Sequence, residues 1–151
     1  MNIVDATAFL ERLKTRTDKK SEIKIYNNFI GILSDLENRE LSSIQLQLIE
    51  NELDNIDLKA EAKNQKRYLS KKLESFKAFL KNELSLISEG YYSALGISLG
   101  MTFGAAFGVV FDKSVGITYG VSLGLILGLI IGKMLDSHAE KQNRVLKVKK
   151  M

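Results

Sequence analysis

The stretch GISLGMTFGAAFG, residues 96–108, carries a glycine at every fourth position and no charged residue. Glycine costs a helix in water roughly 1 kcal/mol per residue relative to alanine, so helix propensity does not explain this spacing. The same period returns further along the chain. The glycines of the two rows are Gly96, Gly100, Gly104 and Gly108, and then Gly116, Gly120, Gly124, Gly128 and Gly132.

Two apolar runs contain these rows, and each has the length of a membrane span. They are YYSALGISLGMTFGAAFGVVF, residues 91–111, and VGITYGVSLGLILGLIIGKML, residues 115–135. Each would form about 31 Å of helix, close to the roughly 30 Å of a hydrocarbon core. Lipid offers the backbone no hydrogen-bond partners, so both runs should be helical. The alternative is a buried hairpin in a soluble protein, but two consecutive runs of this length are rare in soluble cores.

Only Asp112, Lys113 and Ser114 separate the two runs, which predicts a tight antiparallel hairpin. If the chain reverses at Asp112, each glycine of the first row faces one glycine of the second. The predicted pairs are Gly108 with Gly116, Gly104 with Gly120, Gly100 with Gly124, and Gly96 with Gly128. Without Cβ atoms two backbones can approach closely, and in lipid such packing replaces the hydrophobic drive of water. The same rows could instead mate between subunits, and the sequence leaves both arrangements open.

The first span has a second face of small residues, opposite its glycines. This face comprises Ala94, Ser98, Thr102 and Ala106, and Leu95, Leu99, Phe103 and Phe107 flank it. Opposite its glycines the second span has Thr118 and Ser122, followed by the larger Ile126 and Ile130. We therefore predict an inner first helix, an outer second helix and a ring of several copies. The candidate pore-lining residues are Ala94, Ser98, Thr102, Phe103, Ala106 and Phe107.

The two glycine rows resemble those of the glycine-zipper membrane proteins, and the resemblance covers less than a third of the chain. Such zippers recur in oligomeric channels and in membrane-inserting toxins. The resemblance therefore implies a small bacterial membrane protein that forms a homo-oligomeric channel or pore, with four or more copies favoured. One alternative is a membrane-anchored helical adaptor that clusters and recruits a cytoplasmic protein partner. Another is a membrane-disrupting toxin or defence effector.

Basic residues cluster before the first span and after the second, whereas Lys113 is the only one between them. The positive-inside rule then predicts a cytoplasmic (inner) membrane protein of a bacterium, with both termini in the cytoplasm. The basic stretch over 58–81 should contact anionic lipid head groups. It follows an acidic stretch over 35–57. The basic residues are not interleaved with aromatic ones, so the sequence does not indicate a nucleic-acid partner.

Residues 1–88 are predicted to form a cytoplasmic helical bundle, so that the whole fold is all-α. Apolar residues at helical spacing mark its helices. In the third they are Ile44, Leu48, Ile49, Leu53 and Ile56, and in the last they run from Leu69 to Ile87. Ser42 and Gln45 form a potential capping box. The last helix, starting near Asp57, either continues into the first span or ends in an elbow at 88–90. Residues 89–135 would then be the transmembrane hairpin, and 136–151 a basic cytoplasmic tail.

Residue types that carry chemistry are scarce in this sequence. The chain has no cysteine, and its one histidine, His138, lies in the charged C-terminal region. The glycines are not followed by the GK[ST] of a phosphate-binding loop. The spans hold no charged residue away from their ends, which disfavours a proton relay or a charge-coupled transporter. We therefore expect no enzymatic activity, no metal site and no cofactor.

Overall fold

The computed structural model of the chain describes residues 1–58, 65–111 and 115–148. Among them the order of elements is α1 (Ile3–Thr15), α2 (Lys20–Glu37), α3 (Ser43–Ile56), α4 (Gln65–Leu84), β1 (Ile87–Ser88), α5 (Tyr91–Phe111), α6 (Val115–Lys141) and β2 (Val145–Leu146). The all-α prediction is confirmed: a helical bundle precedes a hairpin of two long apolar helices. Outside the described residues lie the predicted turn at Asp112–Ser114 and the charged residues Lys59, Glu61, Lys63, Lys149 and Lys150.

The chain divides into two compact units. The first comprises Met1–Ile87 together with the residues that follow Val145, and the second comprises Ser88–Val145. In the first unit the apolar faces of α1 to α4 enclose one hydrophobic core. Phe29 of α2 and Phe76 of α4 stack at its centre, with 5.3 Å between ring centroids, and both are fully buried. Burying such a side chain contributes about 1.5–3 kcal/mol, so this unit has a source of stability of its own.

Helix α3 buries only part of its predicted apolar stripe. Ile49, Leu53 and Ile56 are buried as predicted, whereas Leu48 is 38% exposed and Ile44 is 71% exposed. Positions 44 and 53 are nine residues apart and therefore about 180° apart around a helix. The prediction for Ile44 is wrong because both helix faces carry aliphatic side chains at helical spacing, and only packing against neighbouring helices decides which face is covered.

The N-termini of α2 and α3 differ, because α3 has a side-chain cap whereas Lys19, the N-cap residue of α2, makes no side-chain cap hydrogen bond. The predicted capping box of α3 is confirmed: the Ser42 N–H donates to the Gln45 side chain at 2.9 Å, and the Gln45 N–H donates to the Ser42 hydroxyl at 3.3 Å. At α2 the Thr17 hydroxyl accepts from the Lys19 N–H at 3.3 Å and donates to Glu22 at 2.8 Å. The nearly buried Glu22 lies in the first turn, where its negative charge is favourable to the helix dipole.

The chain enters the hairpin through an elbow and not through a continuous helix. Helix α4 ends at Leu84, before the predicted Ile87, and Ser85 follows in the left-handed region with φ of 56°. Ile87 instead lies in β1, which pairs with β2. Gly90 then has φ of 73°, a conformation that glycine adopts without steric cost. Two left-handed residues and an extended segment therefore separate α4 from α5.

Candidate functional site: the helical hairpin

Helices α5 and α6 are long and apolar enough to cross a membrane. The most apolar 18-residue window has a mean hydropathy of 1.6 in α5 and 2.0 in α6. Only 6% and 11% of their most apolar windows is buried inside the structure. A core helix of a soluble protein would be mostly buried, so the exposed apolar surface favours lipid as its surroundings. Helix α6 also continues beyond Leu135, where the sequence placed the end of the span, to Lys141.

The glycines of α5 and α6 meet in pairs, backbone against backbone. The structure brings together Gly96 with Gly128, Gly100 with Gly124, Gly104 with Gly120, and Gly108 with Gly116. A Cβ atom added to any of the four α5 glycines would overlap the carbonyl oxygen of its partner. These are the pairs that a reversal at Asp112 predicts. The structure places the contact within one chain, which was one of the two arrangements left open.

Gly132 extends the row beyond the last glycine of α5. A Cβ atom on Gly132 would lie 2.5 Å from the Tyr92 carbonyl oxygen and 2.6 Å from the Ser93 Cα. The close approach of the two backbones therefore continues to the first turn of α5. At the open end of the hairpin the first turn of α5 therefore lies close to α6, and the next turn of α6 follows Gly132.

The side chain of Asp136 joins the two helices at that end. It accepts hydrogen bonds from the Tyr92 N–H at 2.9 Å, the Ser93 N–H at 2.9 Å and the Ser93 hydroxyl at 2.6 Å. The first N–H groups of a helix have no partner within it, and a carboxylate there is also favourable to the helix dipole. Asp136 of α6 therefore caps α5 through charge-assisted hydrogen bonds.

The sequence reasoning missed the role of Asp136, although a signal was present. Asp136 follows Gly132 by four residues and is the next position of the glycine row. Residues four apart share a helix face, so this carboxylate had to point towards α5. The predicted span ends at Leu135, and Asp136 is therefore the first residue of the predicted tail.

The predicted pore-lining residues lie on the surface of the hairpin. Ala94, Ser98, Thr102 and Ala106 are exposed. The Ser98 hydroxyl donates to the Ala94 carbonyl at 2.9 Å, and the Thr102 hydroxyl donates to the Ser98 carbonyl at 2.9 Å. The hydroxyl protons are therefore used within α5, and the face is small and weakly polar. Phe103 and Phe107, beside it, are 60% and 67% exposed.

A groove lies along one side of the glycine contact, in the half of the hairpin nearest the 112–114 connection. Its volume is about 500 Å³, and its lining is almost entirely apolar. Backbone of Gly104, Gly108 and Gly120 contributes to the lining, as do the side chains of Phe107 and Leu123. Phe107 thus belongs to this groove, whereas Phe103 does not line it. In the part of the chain that the structure describes, no three histidine or acidic side chains come together as metal ligands would.

The comparison with protein families agrees with this geometry. Residues 88–138 match the family described as glycine zipper membrane protein. The hairpin is therefore a glycine-zipper membrane domain whose two helices are long and apolar enough to span a membrane. The match covers about one third of the chain, includes all of α5 and most of α6, and leaves the first unit outside. No curated protein and no solved structure is significantly similar.

Adding one methyl group inside the zipper should weaken the hairpin. A Cβ atom at Gly124 would overlap the Gly100 carbonyl oxygen, so we expect Gly124→Ala to force the helices apart and to cost about 1–3 kcal/mol. Ser122→Thr adds the same group on the exposed side of α6 and is the matched control. Thermal unfolding in mild detergent, followed by circular dichroism, measures both. Equal melting temperatures would contradict a zipper that holds the hairpin together.

Removing the Asp136 carboxylate should loosen the first turn of α5. We expect Asp136→Ala to cost about 0.5–2 kcal/mol, as the loss of a helix cap does. Asp136→Asn should lose less, because its amide oxygen still accepts a hydrogen bond. Hydrogen exchange at the amides of Tyr92 and Ser93 provides a local measurement, with the exposed neighbour substitution Ser137→Ala as control. Unchanged exchange in Asp136→Ala would mean that the cap does not form in solution.

Proposed function

We propose that the protein assembles into a homo-oligomeric channel or pore, with the glycine-zipper hairpin as the transmembrane part of each subunit. The strongest support is that α5 has two faces of small residues, of which only one is covered. Its glycine face is occupied by α6 of the same chain. Its other small face, Ala94, Ser98, Thr102 and Ala106, remains exposed. Without a hydrophobic drive in lipid, transmembrane helices associate through such small faces.

The outer faces of the two helices differ, and this difference favours a ring with α5 inside. Opposite its glycines α6 carries Thr118 and Ser122 and then the large Ile126 and Ile130, which suit lipid chains. Opposite its glycines α5 carries only small residues, two of them with hydroxyls. We therefore expect the copies to contact one another through α5. A single hairpin contains one α5, so this contact requires further copies. A closed ring of four or more copies would satisfy every such face.

In this ring the small face of each α5 would meet the next copy along one edge and the lumen along the other, so Ser98 and Thr102 are the hydroxyl residues nearest the lumen. Phe103 is 60% exposed on the flank of the same face and is our candidate for an apolar constriction that gates by dewetting. Phe107 is the weaker candidate because it lines the lateral groove. The proposed activity is passive conduction, without catalysis and without a bound cofactor.

A pair of serine-to-leucine variants tests the assembly. Ser98 and Ser122 are both exposed, and each donates its hydroxyl to the carbonyl four residues earlier. Ser98→Leu fills the small face of α5, whereas Ser122→Leu adds the same bulk to α6. We expect Ser98→Leu to reduce the complex to monomers or dimers and to abolish conductance in planar bilayers, and Ser122→Leu to retain both. Light scattering of the detergent complex gives the copy number.

The first unit favours one alternative, a membrane-anchored adaptor. It has its own buried core and exposes Ile44 on the surface of α3, where a cytoplasmic protein partner could bind. In that case the hairpin would serve as an anchor, and no large ring would be required. A wild-type monomer or dimer without conductance would therefore overturn the pore and support the adaptor.

We further propose that the membrane is the bacterial cytoplasmic membrane and that both termini face the cytoplasm. Exposed basic residues of α4, such as Lys66 and Lys71, would then be available to anionic head groups. The chain has no cysteine, so single cysteines report orientation cleanly. We expect an impermeant maleimide to label Ser114→Cys in intact spheroplasts, and Ser75→Cys on α4 only after lysis. The reverse pattern would overturn the orientation.

A further inference from the structure

We propose that the groove beside the glycine contact holds one phospholipid acyl chain as a resident ligand. The groove lies wholly within α5 and α6, the two membrane-spanning helices. Its volume of about 500 Å³ falls within the roughly 300–1,000 Å³ that is typical of ligand pockets. The lining is apolar, so a hydrocarbon chain can fill it without leaving a polar group unpaired. This proposal does not depend on the pore.

The floor of the groove is continuous with the interface between the helices. Gly104, Gly108 and Gly120 form the backbone contact and also line the groove. Because they lack side chains, the floor is recessed below the surrounding surface. Its peptide groups belong to α5 and α6, whose backbone hydrogen bonds are made within each helix. A ligand on this floor would therefore make close van der Waals contact with the backbone.

The walls of the groove are large side chains. They include Phe107, Tyr119 and Leu123, each more than half exposed. They do not offer a second copy the small-residue face through which transmembrane helices pack closely. The small residues that allow helices to approach closely lie elsewhere on α5, at Ala94 to Ala106. A flexible acyl chain, which bulk lipid supplies at this surface, can enter between the walls.

The chain contains no tryptophan, so a single introduced tryptophan reports its own surroundings. Phe107→Trp places the probe in the groove wall. Val110→Trp is the control, because Val110 is 79% exposed and does not line the groove. Both variants are reconstituted in mixtures of ordinary phospholipid and phospholipid brominated on its acyl chains. Bromine quenches tryptophan fluorescence on contact.

A resident chain should quench the groove probe after most of the surrounding lipid has been replaced. The variants are first loaded in brominated lipid and then diluted into bilayers of ordinary lipid. Emission of Val110→Trp should recover as the bulk lipid mixes, whereas Phe107→Trp should remain quenched for a measurably longer time. Simultaneous recovery would overturn the proposal. Quenching of Phe107→Trp that is weaker than the control in every mixture would also overturn it, since another helix would then cover the groove.

The unmodified protein provides an independent readout that does not rely on either variant folding. Native mass spectrometry of protein released from detergent with added phospholipid should show one retained phospholipid per chain. Leu123→Trp, which adds bulk at the wall, should reduce this retention, and Leu125→Trp, outside the groove lining, should not. Complete loss of lipid from the wild-type protein, or equal retention in both variants, would contradict a resident lipid. Because bound phospholipids are counted per chain, this result does not depend on how many copies form the proposed pore.

Discussion

The direct contact between two helix backbones is the interaction on which the rest of the hairpin depends. Each glycine of α5 lies against a carbonyl of one α6 glycine, and no side chain fits between them. In a bilayer apolar side chains gain nothing from leaving lipid, so helices are held by close packing and by polar contacts. The absence of a Cβ atom at every fourth position makes that packing continuous along the hairpin.

The same row of positions also provides the polar contact that closes the hairpin. Gly132 lets the two backbones approach at the first turn of α5, and Asp136, one turn later, accepts hydrogen bonds from Tyr92 and Ser93. A side chain at position 132 would push this carboxylate away from the helix N-terminus. The zipper and the cap are therefore coupled, because the second requires the close approach that the first provides.

Use of the glycine rows within one chain determines which surfaces remain for other molecules. The small face at Ala94 to Ala106 is available to further copies, and the groove beside Phe107 is available to lipid. The first surface consists of small residues, whereas the second has large side chains beside a glycine floor. For this reason we propose a neighbouring helix at the first and an acyl chain at the second.

The sequence alone determined the two spans and the pairing of their glycines, because helix geometry is local and a very short connection leaves little freedom in register. It also determined the capping box at Ser42, whose hydrogen bonds join residues three positions apart. Only the tertiary structure decided that Ile44 is exposed, that α4 ends at Leu84, that Asp136 caps α5 and that a groove lies beside Phe107. Each of these depends on groups distant in the chain meeting in space, and a periodic pattern records which residues share a face without recording what that face meets.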